Sequence, residues 1–419
     1  MSKFLIKGNQ TLKGKVKING AKNSILPILS ACLLTDKECV ITQVPPLMDV
    51  YFMVEMMMSL GVDVEYDEKK FIIKIRAEKI NKTYVDYDLG GRLRASFLLM
   101  GSLLARKQKA KLPLPGGCQI GSRPVDLHLK GFRELGVKIK QEHGYVSGRC
   151  KKLTGCHIYL DFPSVGATEN LIIASVLAEG TTVIENGATE PEITDLVEFL
   201  NKMGAKIKDF ETGTIIIRGV KNLKGVKHAV MPDRIEAGTF MAAAAITGGD
   251  ILLTNVKKSD YLIPVIAKLT EAGITVEETN EGLRISGNGE LNGFDLKTLP
   301  FPGFPTDLQA VFMSLDAVAK GRGVITETVF ENRFMQVSEL NRMGADIKTD
   351  GRVAVIEGVK KLTGSPVKAT DLRAGAALVV AALAAQGDTE VSEIFHIDRG
   401  YYELDKRLNS LGARIERVD

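Results

Sequence analysis

The stretch Leu196–Lys208 reads LVEFLNKMGAKIK, and variants of its ending occur six times along the chain. The other five are SLGVDVEY (Ser59–Tyr66), ELGVKIK (Glu134–Lys140), EAGITVEE (Glu271–Glu278), RMGADIK (Arg342–Lys348) and SLGARIE (Ser410–Glu416). In LVEFLNKM the apolar residues fall at helical spacing. The glycine that follows suits a helix C-cap, because it takes a left-handed conformation without a Cβ clash. The alternating AKIK then predicts a strand. Gly61, Gly136, Gly204, Gly273, Gly344 and Gly412 recur roughly every 70 residues. That period exceeds those of solenoid repeats, so each unit is a small subdomain.

Working outward, each unit carries a second, more apolar helix ahead of the amphipathic one. These are SILPILSACLL, RASFLLMGSLLA, TENLIIASVLAEG, AGTFMAAAAITGG, DLQAVFMSLDAVAKG and AGAALVVAALAAQG. A strand-like stretch such as TTVIEN or DILLTN comes next, and four units open on a shared turn and strand: LTGCHIYLD, LKGVKHAVM, LNGFDLKTL and LTGSPVKAT. The consensus is strand–helix–strand–helix–strand. A nearly all-apolar helix must be buried and an amphipathic one must lie outside. The predicted fold class is therefore α/β, with two globular domains each built of three inside-out α/β repeat units, helices buried and sheets outermost.

Composition narrows the function. At 419 residues, 45% hydrophobic and 25% charged, the chain has the balance of a soluble globular protein with ample core. Its net charge of +4, lack of Trp and 6% aromatics argue against a nucleic-acid partner. The five cysteines include no CxxC pair, which excludes a zinc ribbon or a disulfide scaffold. No apolar run reaches the ~20 residues of a membrane span. The expectation is a cytoplasmic protein without membrane insertion. Motifs for a P-loop, a zincin or a dinucleotide fold are absent, and the five histidines are scattered singly, so no metal site is predicted.

Unusual polar residues gather where helices begin. At the apolar helices they are Lys22-Asn23, Arg92 with Arg94, Ser164-Val165-Gly166, Arg234 with Glu236, Asp307, and Asp371 with Arg373. At the amphipathic helices they are Arg123 with Asp126, Glu190 with Glu192, Arg333, and Asp398 with Arg399. Asp and Ser there are ordinary N-caps, and Asp195 falls in that class. Cations are not, because a helix N-terminus repels them unless an anion is near. Lys22, Arg123, Arg333 and Arg399 as a set imply an anion site. The loop PGGCQIGSRP (Pro115–Pro124) puts Cys118 beside Arg123, a setting that lowers a thiol pKa. Cys32, Cys39 and Cys156 fit the role of small buried hydrophobes. His396, beside Asp398 and Arg399, is as good a positioning residue as a catalyst.

Several of these pieces together resemble the UDP-N-acetylglucosamine enolpyruvyl transferase family. They are NGAKNS (Asn19–Ser24), RLRAS (Arg92–Ser96), PGGCQIGSRPVDLH (Pro115–His128), PSVGAT (Pro163–Thr168) and ENGATEPEI (Glu185–Ile193). PDRIEAGT (Pro232–Thr239), FPTDLQA (Phe304–Ala310), ITETVFENRFMQVSEL (Ile325–Leu340), ATDLRA (Ala369–Ala374) and FHIDRGY (Phe395–Tyr401) extend the resemblance over the whole chain. It implies one globe of residues 1–21 plus 231–419, a second of residues 22–230 with the Cys118 loop as lid, and an active site in the cleft between them. The implied reaction moves the enolpyruvyl group of phosphoenolpyruvate onto the 3-hydroxyl of UDP-N-acetylglucosamine, at the start of peptidoglycan precursor synthesis. No cofactor and no metal are implied.

By the same resemblance, Lys22, Arg123 and Arg399 hold phosphoenolpyruvate. Asn23, Arg94, Arg123, Pro124, Val125, Asp126, Leu127, Ser164, Val165, Asp307 and Val329 contact the sugar nucleotide, and Arg333 and Arg373 join the substrate-binding set. Cys118 is the implied general acid, open to the epoxide antibiotic fosfomycin, and Asp307 the implied base. One departure is visible. Some members carry a lysine two residues before the serine of SVGAT, where this chain has Phe162; Arg92 is the residue placed to compensate. The rivals are a shikimate-pathway enolpyruvyl transferase, which lacks the PGGC loop, and a sugar-nucleotide sensor, which would have lost Cys118 or Asp307.

Overall fold

A computed structural model describes residues 2–115, 124–256, 259–287 and 289–418. The described chain forms two compact units, one of residues 20–115 with 124–231, the other of residues 2–19 with 232–418. In the first unit the apolar helices Lys22–Ala31, Leu99–Lys107 and Val165–Ser175 pack on one another. In the second, Arg234–Ile246, Thr306–Asp316 and Leu372–Ala384 do the same. Nearly every side chain of the last three is buried, so each triplet is the core of its unit. Close approach explains a glycine here: a β-carbon on Gly238 would lie 2.4 Å from Leu308.

Three sheets surround each core, five of four strands and one of three. Their strands alternate buried and exposed residues, as in the eBiBi pattern of Thr181–Glu185, so one face covers helices and the other meets solvent. The predicted consensus lacks one strand. After AKIK the chain turns back as a hairpin, with Lys206–Lys208 antiparallel to Ile215–Arg218, and that second arm joins the sheet. Its sequence carries no shared ending, which hid it from a reading keyed to the glycines. Those glycines are as predicted, with φ between +90° and +104° at all six. In three units an asparagine near the helix end ties it to the strand. Asn201, Asn341 and Asn409 each exchange two hydrogen bonds of 2.7–3.1 Å with the backbone of the isoleucine six residues on.

The order of strands corrects one assignment. LKGVKHAVM, expected to open the fourth unit, supplies strand Lys227–Ala229, which pairs in parallel with Cys39–Thr42 of the first. The fourth unit takes Lys13–Lys17 from the start of the chain instead, parallel to Asp250–Thr254. Lys3–Lys7 completes the sixth, between Asp388–Ser392 and Arg414–Val418. The chain thus passes between units twice, near residues 19–20 and 231–232. Among the described residues, no helix is long and apolar enough to cross a membrane. Cys32 and Cys39 are buried as expected, but Cys156 is only half-buried; burial and nearby Glu134 raise its thiol pKa to about 11.

Candidate active site residues in each unit

In the unit of residues 20–231, Lys22 and Asn23 begin a helix whose cap, Ala21, offers no side-chain bond. The predicted anion is partly supplied by the protein itself: Lys22 Nζ lies 2.8 Å from the fully buried carboxylate of Asp49. Asp49 was not foreseen, although an acid in the apolar run MDVYFM is a readable sign of a buried partner. Two residues on, the Ser24 hydroxyl donates to Asp195. Asp195 also accepts from the Met231 amide at 3.1 Å and lies 2.8 Å from His228 Nε2. It sits inside helix Pro191–Met203 and caps nothing, contrary to expectation. Its place on the buried face made it a network centre.

Arg94 starts the short 3-10 helix Arg94–Leu98. Pro124 is exposed, Val125 is the buried cap, and Asp126 and Leu127 open helix Asp126–Glu134. Ser164 caps helix Val165–Ser175 by accepting from the Ala167 amide. These elements converge on His128, which sequence reading passed over. His128 Nδ1 is 3.1 Å from Asn170 Nδ2, its ring meets Phe97 edge-on, and a β-carbon on Gly166 would lie 3.5 Å from it. Burial, with Arg94 nearby, pushes the His128 pKa down to about 3, so the ring is neutral and adds no charge. Phe162 is exposed, and Arg92 lies 3.5 Å from Glu55 and over the Phe52 ring.

In the other unit the centre is Asp307, at the first turn of helix Thr306–Asp316. Its two oxygens accept from different arginines, Arg333 at 2.8 Å and Arg373 at 2.7 Å. Both guanidinium groups are buried, while the carboxylate keeps about a quarter of its surface exposed, 26%. Burial alone would favour a neutral guanidine at Arg373; Asp307 and Tyr401 beside it outweigh that and hold it firmly protonated. Tyr401, fully buried, lies 3.3 Å from Arg373 Nη1 and 2.8 Å from the Thr239 hydroxyl. Asp371 caps helix Leu372–Ala384, as predicted.

Two positions differ from expectation. Arg333 lies in turns before helix Val337–Arg342 and answers to Asp307, because its buried charge needs a carboxylate more than a helix end. Asp398 and Arg399 end the one-turn helix Phe395–Asp398, and Asp398 is bound by both nitrogens of Arg417 at 2.7–2.9 Å. His396 stacks on Phe395 at 4.0 Å, and burial with Arg399 lowers its pKa. Val329 follows Glu327, a buried acid that sequence reading missed. Cys118 and Arg123 lie outside the described residues. No group of three or more metal-binding side chains occurs among the described residues.

A protein with two cores of three helices, each wrapped by three sheets, and with carboxylate–guanidinium clusters at helix starts, has the architecture of an enolpyruvyl transferase. A family model described as EPSP synthase (3-phosphoshikimate 1-carboxyvinyltransferase) matches residues 6–408. The solved enolpyruvyl transferase NikO from Streptomyces tendae superposes with a TM-score of 0.89 at 25% identity, covering 100% of this chain and 99% of that one. EPSP synthase from Acinetobacter baumannii, 22% identical over the full length of both chains with a TM-score of 0.78, shares the fold. UDP-N-acetylglucosamine 1-carboxyvinyltransferase 1 of Caldanaerobacter subterraneus is 56% identical over 416 residues, 99% of each chain. The corresponding enzyme 2 of Carboxydothermus hydrogenoformans is 56% identical over 420 residues, 100% of each. The chain belongs to the enolpyruvyl transferase family, within its UDP-N-acetylglucosamine 1-carboxyvinyltransferase branch.

Proposed function

We propose that this chain transfers the enolpyruvyl group of phosphoenolpyruvate to the 3-hydroxyl of UDP-N-acetylglucosamine, releasing phosphate, in the cytoplasm, as the first committed step of peptidoglycan precursor synthesis. The observation that carries the proposal is 56% identity, end to end, with proteins bearing that name. In the reaction the acceptor oxygen bonds to C2 of the enol while Cys118 delivers a proton to C3. Asp307 takes the proton of the attacking hydroxyl. The tetrahedral adduct then loses phosphate from C2 and a proton from C3, restoring the vinyl group. Atoms balance without a redox partner or an organic cofactor.

The geometry supports these roles. Arg333 and Arg373 bind one oxygen each of Asp307 and so fix the direction in which the carboxylate faces. The bond to buried Asp49 aims the Lys22 ammonium group. Lys22, Arg123 and Arg399 would then hold phosphoenolpyruvate. Asn23, Arg94, residues 123–127, Ser164, Val165, Asp307 and Val329 would contact the sugar nucleotide.

The test is phosphate release from phosphoenolpyruvate, with and without UDP-N-acetylglucosamine, in wild type and Cys118→Ser. Sugar-dependent release that collapses in the variant is expected. Release that survives in the variant removes Cys118 as an essential acid, and no release in wild type overturns the proposal. Fosfomycin added with the sugar nucleotide is expected to inactivate the wild type and spare Cys118→Asp.

A further inference from the structure

Glu327 is buried, 1% exposed, and forms no ion pair among the described residues, yet both its oxygens are used. Oε1 accepts from the Val329 amide at 2.8 Å and the Phe330 amide at 3.1 Å. Oε2 accepts from the Thr306 hydroxyl at 2.9 Å. Thr306 immediately precedes Asp307 at the helix start, and Val329 is the residue assigned to the sugar nucleotide. The ring of Phe330, in turn, lies 5.4 Å under the Arg333 guanidinium, and Arg333 binds Asp307. The contacts close a circuit: Glu327 to Thr306 and Asp307, on to Arg333, to Phe330, and back to Glu327.

The rest of the segment is tied down as well. Thr328 bonds through its amide and its hydroxyl to Thr298 at 2.9 and 2.6 Å, and the Glu327 amide donates to the Arg352 carbonyl at 2.9 Å. Those bonds hold the segment to its own sheet. Glu327, through Thr306, links it to the helix that carries Asp307. Burying a carboxylate is unfavourable unless its lone pairs are met, and an ordinary strand end would not call for one. A single acid that can take three donors from two elements suits the task of setting one element's position against the other.

We infer that Glu327 is a positioning residue for the transfer, fixing Asp307 and the Val329 backbone in one rigid arrangement around the acceptor sugar. The inference rests on the function proposed above, in which those two residues face the sugar nucleotide. It separates the substrates: losing Glu327 disturbs the acceptor side and leaves phosphoenolpyruvate binding alone. Glutamine can keep all three contacts, since its carbonyl accepts both amides and its NH2 can donate to the Thr306 oxygen.

The experiment is steady-state kinetics of wild type, Glu327→Ala, Glu327→Gln and Thr306→Val, with each substrate varied in turn. Misplacing reacting groups by about an ångström costs up to about 100-fold, so Glu327→Ala is expected to lower kcat and raise the sugar-nucleotide KM by on the order of tenfold each. The phosphoenolpyruvate KM should stay within about twofold, and Glu327→Gln should recover most of the loss. Thr306→Val, which removes one contact without opening the segment, should move the same two constants in the same direction by less. It carries the test if Glu327→Ala does not fold. An active wild type whose Thr306→Val and Glu327→Gln variants both leave the sugar-nucleotide KM and kcat unchanged while Glu327→Ala is also unchanged or unfolded overturns the inference alone. So does a phosphoenolpyruvate KM that rises as much as the acceptor's. A wild type with no sugar-dependent phosphate release overturns the parent reading, and the inference with it.

Discussion

Lys22 and Asp307 occupy comparable places, each at the first turn of an apolar core helix, one in each unit, and their surroundings are opposite. Lys22 is a cation met by one carboxylate, Asp49. Asp307 is a carboxylate met by two guanidinium groups, Arg333 and Arg373. Asp233 adds a second negative charge near Arg373. A repeat therefore fixes where a polar group can stand, while the neighbours contributed by other elements decide its charge.

The sharpest way to break this comparison is to remove each central charge. Asp307→Ala takes from two buried arginines the carboxylate that both of them bind, and losing one partner of a buried pair costs about 3 to 5 kcal/mol. Lys22 is itself slightly exposed, at 13%, and its loss takes a partner from one carboxylate, Asp49. Lys22→Met is expected to cost less, and Lys22→Met with Asp49→Asn to regain part of the loss. Urea unfolding of the four proteins checks this. Equal losses in Asp307→Ala and Lys22→Met would mean that the two clusters are alike in energy, whatever their charges.

How far this was legible in the sequence follows from the same contrast. The six C-cap glycines and the two kinds of helix could be read because each is a local pattern, repeated. Asp307, Arg333 and Arg373 were all singled out as unusual, and they do meet; that they satisfy one another could not be seen, since they are 26 to 66 residues apart. Asp49, His128 and Glu327 were missed for a different reason. Each matters through a partner from another element, which the local sequence does not name. The strand Lys227–Ala229 misled because its sequence matches its neighbours' while its partner, Cys39–Thr42, lies far back in the chain.

His128 sharpens the comparison on the acid side. Its ordinary pKa of 6.5 falls to about 3 in the fold, so the stability it contributes is intact above pH 6.5 and is lost as pH falls toward 3. Each pH unit inside that window is worth about 1.4 kcal/mol, or about 3 kcal/mol between pH 6.5 and 4.5. Wild type should lose that much more than His128→Gln over the interval, measured by urea unfolding at each pH. Parallel curves would mean that the ring is already charged in the folded protein.

The smallest effect lies at the opposite end of Asp307's helix and on the other side of the pH scale. The core helix Val165–Ser175 ends in a buried hydroxyl, whereas Thr306–Asp316 ends in a buried carboxylate. Asp316 Oδ1 accepts from the Phe294 amide at 3.2 Å, and Oδ2, pressed against Gly323, has no hydrogen-bond partner. Burial raises its pKa from 3.8 to about 7, against the pull of that amide. A helix C-terminus also disfavours a negative charge. The unfolded chain gives up this proton near pH 4 and the folded one near 7, so stability falls as pH rises through that window and is flat above it. Asp316→Asn keeps the bond from Phe294 and removes the charge, but it places an amide NH2 where nothing accepts from it, so only part of the cost returns. The expected gain is about 1 to 2 kcal/mol at pH 8, shrinking toward zero or reversing at pH 4. A gain that does not change with pH would show that the carboxyl is ionised at both, held by groups beyond Phe294, and the two helices would then differ in size of side chain alone.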